Sequence, residues 1–308
     1  MKIVEPSFEI QDDLDRSSLA VRLEACGRIC YKSEDKITED SAIPFVTKVS
    51  AHGHNSVLEM AVATFEITCR PSRLDELLAC QPRFLMIDPT PAGCIVTGSI
   101  RAYREMALQH GDNPIVNGIL SVLHGKTPYL FTGVFSADKV LPLEPGFEIR
   151  KMSLSEVENM PMPLLCHHRH VGVRFIVNRA VTHELVRHRP CSFLQESQRY
   201  CRYSQDKFGN QVTFIKPVFF EKGTAEYSLW QQAMEETERL YLQLLETATP
   251  QAARTVLPNS CKTEIIMYCN LLEWKHIFSL RTTQAAEPSM REIMIPLAAE
   301  FRKRYPLL

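Results

Sequence analysis

The chain has 308 residues and a formal charge of -1, from 35 Lys and Arg against 36 Asp and Glu. It is 45% hydrophobic and 23% charged, which excludes a disordered chain and gives no basic excess for broad nucleic-acid or membrane binding. No apolar run approaches the length of a membrane span. There are ten cysteines, but a chain of this size needs no disulfide staples, and its start carries no signal-peptide pattern. We therefore expect buried, reduced thiols and a cytoplasmic protein.

In chain order, the segment up to Ser17 reads as loop or edge strand. Leu19, Leu23, Cys26 and Cys30 recur at helical spacing behind Ser18, a plausible N-cap. A second helix is predicted over 40–50, then a turn from His52 and a short helical piece near Glu59. The alternating, β-rich stretch 62–69 reads as a strand. Residues from about 71 to 168 carry helical patterns near 73–80, 99–108, 115–123 and 153–160, separated by Pro- and Gly-containing breaks such as Asp88-Pro89-Thr90-Pro91. This stretch reads as an insertion. A strand over 170–177 follows, then helices over about 179–187, 224–248, 262–278 and 290–304. The Met and aromatic stripe of 224–248 reads as core or subunit interface.

Two local features are weighed and set aside. Cys166-His167-His168-Arg169-His170 has the composition of a metal tract. Its spacing is too tight for a tetrahedral zinc site and no distant pair completes it, so no metal is expected. Gly98-Ser99, after the β-rich run from Cys94, could cradle phosphate, but an ordinary strand-to-helix turn is the expectation.

The densest chemistry lies between positions 187 and 200: Arg187-His188-Arg189, then Ser192, Gln195, Ser197, Gln198, Arg199 and Tyr200. Guanidinium forks suit phosphates and pyrimidine carbonyls. The competing reading is a set of surface salt bridges to Glu184 and Glu196; the continuing Ser-x-x-x-x-Ser-x-Arg-Tyr pattern favours a pocket for a planar, phosphorylated ligand.

This stretch resembles the signature of flavin-dependent thymidylate synthases: Arg-His-Arg, two residues, Ser, four residues, Ser, one residue, Arg. Three other stretches match in the family's order: His54 to Glu59, Ala253-Arg254-Thr255-Val256-Leu257-Pro258, and Leu280-Arg281 with Ala286 and Arg291 downstream. The resemblance covers roughly 18–70 and 170–305. It implies reductive methylation of dUMP to dTMP, with methylene-tetrahydrofolate as carbon donor and NADPH-reduced FAD as hydride carrier. Arg291 would be the catalytic donor to the uracil ring. Glu184, Arg187, Gln195, Ser197, Gln198, Arg199, Arg254 and Arg291 would hold the nucleotide. Cys30, His54, Ser56, Glu59, Arg187, His188, Arg189, Gln195, Ser279, Arg281 and Ala285 would line the FAD site. For His54 a purely structural role stands beside the flavin-side one.

The family also implies a homotetramer with shared active sites and with nucleotide and folate as its small-molecule partners; from the near-neutral charge we expect neither nucleic acid nor membrane among them. Glu184 stands where a nucleotide-contacting Gln is usual in the family. That keeps two alternatives in view: an enzyme modifying carbon 5 of another pyrimidine nucleotide, and a non-catalytic nucleotide-binding relative. The expected architecture is α+β. We expect a mostly antiparallel sheet packed with helices, in one domain spanning 1–308, with a helical insertion at about 71–168 between two strands.

Overall fold

The computed structural model describes residues 1–142, 144–205 and 208–306. The chain opens with β1 (Lys2–Val4), β2 (Ser7–Ile10), α1 (Asp12–Arg16), α2 (Leu19–Ile29), α3 (Ala42–Ala51) and β3 (Val62–Thr68). The insertion then gives α4 (Pro71–Ala79), β4 (Leu85–Thr90), β5 (Gly93–Ser99), α5 (Ile100–His110), α6 (Pro114–Lys126), β6 (Glu148–Lys151), α7 (Leu154–Glu158) and α8 (Leu164–His168). The remainder is β7 (His170–Asn178), α9 (Arg179–Leu185), β8 (Ser192–Gln195), β9 (Thr213–Ile215), α10 (Ala225–Thr247), α11 (Pro250–Ala253), β10 (Lys262–Asn270), α12 (Leu271–Arg281) and α13 (Pro288–Arg304).

The α+β class holds, with antiparallel strands dominant, but the strands form two four-stranded sheets instead of one. Their orders are β2-β7-β10-β8 and β4-β5-β3-β6, and a short parallel pair β1-β9 stands apart. The insertion is therefore not purely helical. Its β5 and β6 pair with the two edges of β3, and β4 extends the sheet beyond β5. Asp88-Pro89, read as a break, lies in β4. That strand is at the sheet edge, where Pro is tolerated. Gly98-Ser99 is a strand-to-helix turn, with Ser99 Oγ capping Ala102 N of α5 at 3.1 Å.

Two further expectations need correction. Residues 262–270 are not helix but the central strand β10, paired with β7 on one side and β8 on the other. Every residue from Thr263 to Cys269 is buried, so no polar alternation marks it as a strand. Residues 12–16, expected to be loop or strand, form the short helix α1.

The period of two along β10 and β7 divides the interior. Ile265, Met267, Val173 and Phe175 face α9, α12 and α13 in one core, while Ile266 and Tyr268 join a second core with α2, α3 and the insertion. Gly172 lets α2 approach β7: a Cβ there would lie 2.8 Å from Arg22 Nη2. On α10, Met234, Tyr241 and Leu245 pack with Tyr203 and Phe214, whereas Leu229, Leu240 and Leu244 are exposed. All ten cysteines are free. No helix among the described residues is long and apolar enough to cross a membrane.

Candidate active site

The Arg-His-Arg turn is set by helix ends. Asn178 Oδ1 accepts from Val181 N at 2.9 Å and starts α9. The helix ends at Leu185, earlier than expected, and a turn with Arg187 N bonded to Glu184 O at 3.2 Å carries the chain toward β8. In this turn His188 points inward and is buried, while Arg187 and Arg189 are exposed. Asn270, by the same capping chemistry, starts α12 directly after β10. The far end of α12 delivers Arg281 to the turn.

Arg281 binds two motif positions through three hydrogen bonds. Its Nη1 donates to Glu184 Oε2 at 2.6 Å, its Nη2 to the Glu184 carbonyl at 3.3 Å, and its Nε to His188 Nε2 at 3.1 Å. His188 Nδ1 lies 3.7 Å from Glu273 Oε1, and the His276 ring packs edge-on at 6.3 Å. Burial, with Arg281 and His276 alongside, pushes the His188 pKa down to about 4. The imidazole is then neutral at pH 7, with Nε2 as acceptor for Arg281 and the proton on Nδ1. Burial also raises the Glu273 carboxyl.

Gln195 Nε2 donates to Thr182 Oγ1 at 3.1 Å and to Thr263 Oγ1 at 3.2 Å, so α9 and β10 together fix its amide. Ser197 N donates to the Cys30 carbonyl at 3.0 Å, and Ser197 Oγ accepts from Arg199 N at 3.3 Å. Burial pushes the Cys30 thiol up to about 11, so it remains protonated. Gln198 is buried with Nε2 unpartnered. The Arg199 guanidinium sits 5.4 Å from the Tyr200 ring, which in turn packs on Tyr31.

Beneath this strand runs an ion network. Lys262 Nζ bridges Glu196 at 2.9 Å and Glu264 at 2.6 Å, and Glu264 also binds Lys32 and Arg174. Burial alone would raise Glu264, but Lys262 and Lys32 outweigh it and hold it at about 2. Glu196 is thus buried in a structural network and is no surface partner of the motif arginines.

The remaining predicted residues are spread around this centre. His54 and Ser56 are exposed in the turn after α3. Glu59 Oε1 accepts from Arg101 Nη1 of the insertion at 2.5 Å. Ser279 Oγ donates to the His276 carbonyl at 2.8 Å, and Ala285 is exposed beyond α12. Arg254 is exposed at the start of a 3-10 turn, and Arg291 lies in the first half of α13 with a buried, unpartnered Nε. The structure therefore joins Glu184, His188 and Arg281 directly, and anchors Gln195 and Ser197 at the end of β8. Within one chain no hydrogen bond among the described residues links His54, Ser56, Arg254 or Arg291 to that cluster. The guanidinium groups of Arg187, Arg189 and Arg254 make no ion pair among the described residues, which leaves them available to an anionic ligand.

Glu273, His276, Thr182 and Thr263 escaped the sequence reading. The i, i+3 spacing of Glu273 and His276 upstream of Arg281 was the available signal. His188, Glu273 and His276 each offer a metal-ligand atom, all within 4.8 Å of one another. Arg281 already occupies one nitrogen of His188 and its charge opposes a cation there. The His-rich tract serves packing: His167 Nδ1 and His168 Nε2 each lie 3.0 Å from Asp88 Oδ2, tying α8 to β4.

A family model described as thymidylate synthase complementing protein matches residues 17–78 and 166–307. The chain belongs to this family. Among curated relatives, the flavin-dependent thymidylate synthase of Pyrococcus abyssi is 37% identical over 131 residues, covering 42% of this chain and 53% of its own. That of Pyrococcus furiosus is 38% identical over 128 residues, covering 41% and 52%. The chain spans about half the length of the curated relatives it matches. A solved chain described as a UMP/dUMP methylase PolB from Streptomyces cacaoi, bound with 5-Br dUMP, aligns over 98% of this chain and 93% of its own. At 14% identity and a TM-score of 0.41, that likeness carries no weight in the assignment.

Proposed function

We propose that this protein is a flavin-dependent thymidylate synthase, which converts dUMP, methylene-tetrahydrofolate, NADPH and a proton into dTMP, tetrahydrofolate and NADP. The observation that carries the reading is the Glu184–Arg281–His188 junction. Arg281 meets His188 from 93 positions away in sequence, and the resemblance assigns both residues to the flavin. The donor set suits such a group: exposed guanidinium forks at Arg187 and Arg189 for its phosphates and ring carbonyls, beside a neutral imidazole. When bound, the flavin supplies the hydride.

The chain's own residues do the rest. Arg187, Arg199 and Arg254, with the Ser197 hydroxyl, hold the nucleotide phosphate. Arg291 donates toward the uracil ring and stabilises the negative charge that makes carbon 5 nucleophilic. Its buried, unpartnered Nε supports that donor role. Gln195, fixed by two threonines, lies between nucleotide and flavin. His54, Ser56, Glu59, Ser279 and Ala285 line the flavin site across subunits of a homotetramer. The Glu184 carboxylate is neutralised by Arg281, so it does not face an anionic nucleotide alone, and dUMP remains the preferred substrate.

The test is turnover by the purified protein with FAD, NADPH, methylene-tetrahydrofolate and competing pyrimidine nucleotides, with products followed by mass. One added methyl on dUMP is expected, falling about 10²–10³-fold in Arg291→Ala. Methylation of another pyrimidine would move the substrate. Nucleotide affinity without flavin or product would make the protein a non-catalytic relative.

A further inference from the structure

The insertion supplies one wall of a cleft at the motif turn. This cleft, of about 550 Å³, has Arg189 and Ser192 on one side and Phe84, Met86 and Arg101 on the other. Arg101 ties the two sides together through Glu59, the last residue of the first family motif. Phe84 is the unusual member. It is 78% exposed, and its φ of +62° is a left-handed conformation that a bulky residue adopts only at a cost. Gln81, three positions earlier, also has a positive φ of 46°. The link from α4 to β4 thus holds an aromatic ring outward at the cleft. With Glu59 and Glu273 facing Arg189 and Arg101, the lining is near neutral overall. It suits a hydrogen-bonding ring system better than a polyphosphate.

We propose that Phe84 is a stacking residue for a planar heteroaromatic ring bound between the insertion and the Arg189–Ser192 turn. This rests on the synthase reading, in which two such rings are present: that of the flavin and the pterin of the folate. Phe84 presents a face for offset stacking, while Ser192 and Arg189 offer donors at the ring edge.

The test is equilibrium titration of the full-length wild-type, Phe84→Ala and Phe84→Trp proteins with FAD, tetrahydrofolate and dUMP separately, alongside light scattering. Loss of one stacking contact is expected to raise the Kd for one of the two rings about tenfold in Phe84→Ala. Phe84→Trp should restore it, dUMP affinity should not move, and the ligand that responds identifies the ring. Phe84 is exposed, so truncation removes little packing and an unchanged melting temperature is expected. Wild-type affinity for flavin and nucleotide with unaltered Phe84→Ala constants overturns the stacking role and leaves the synthase reading standing. A changed oligomer mass with unaltered constants overturns it in favour of a subunit contact. A wild-type chain that binds neither ring overturns both readings.

Discussion

The two four-stranded sheets share an antiparallel plan but differ in how their strands meet water. In β2-β7-β10-β8 the central strand β10 is buried on both faces from Thr263 to Cys269. In β4-β5-β3-β6 the central strand β3 buries Phe65 and Ile67 but leaves Glu66 and Thr68 exposed. The first sheet places its charges inside, as the Glu196–Lys262–Glu264 network beneath the motif strand. The second keeps its charges outside, as the exposed Arg150–Glu66 and Arg150–Glu156 pairs. Both halves rest on apolar cores, but the motif-bearing half adds a buried, geometry-sensitive ion network that the inserted half does without.

The largest expected effect comes from removing residues 85–151. This strips both partners from β3 and removes Val96, Leu120 and Phe131 from the core around Leu58, Phe65 and Ile67. The shortened chain should yield no soluble protein with a cooperative melt; a folded, cooperative product would show that the insertion is an independent appendage. Next, Glu264→Gln should cost about 3–5 kcal/mol, because Lys262, Lys32 and Arg174 lose a buried counter-charge. Glu66→Gln, its counterpart on the exposed face, should leave the denaturant midpoint unmoved. Equal losses at the two sites would erase the contrast between the sheets.

The histidines give a pH test. His188, His168 and His170 are each pushed down to about 4, burial being the first cause in all three. Below the ordinary value of 6.5 the unfolded chain takes up protons that the folded chain refuses, so stability falls as pH drops from 6.5 to 4. Above 6.5 these groups contribute no slope. Melting temperatures across that window read the effect, and a flat profile would mean that the rings are solvated. A small effect is expected at Glu184→Gln. Its partner Arg281 is partly exposed, so the stability cost should stay below about 1 kcal/mol. Flavin affinity should fall a few-fold while the preference for dUMP is kept. A swapped nucleotide preference would put Glu184 against the nucleotide and not beneath Arg281.

The contrast between the sheets also explains what could be read in advance. β3 was legible because one wet face imposed alternation on Val62 to Thr68. β10 was misread because a strand buried on both faces has the same apolar continuity as a buried helix. The helix start at Leu19 was legible through the cap Ser18, which is local chemistry; the structure adds the caps Asn178 and Thr224 at the starts of α9 and α10. The motif residues were legible because residue type and spacing are one-dimensional facts. Their partners were not: Arg281 meets Glu184 from 97 positions away, and Arg101 meets Glu59 across the insertion boundary.

By itself, then, the sequence determined the family signature, the capped helices and the amphipathic strand, all of which rest on short-range periodicity and local hydrogen bonding. Only the tertiary structure decided that β10 is a central strand of the motif-bearing sheet, that the insertion completes a second sheet on β3, and that His188 is held neutral beside Arg281. Those outcomes depend on burial and on through-space charge, and neither is encoded at any single stretch of chain.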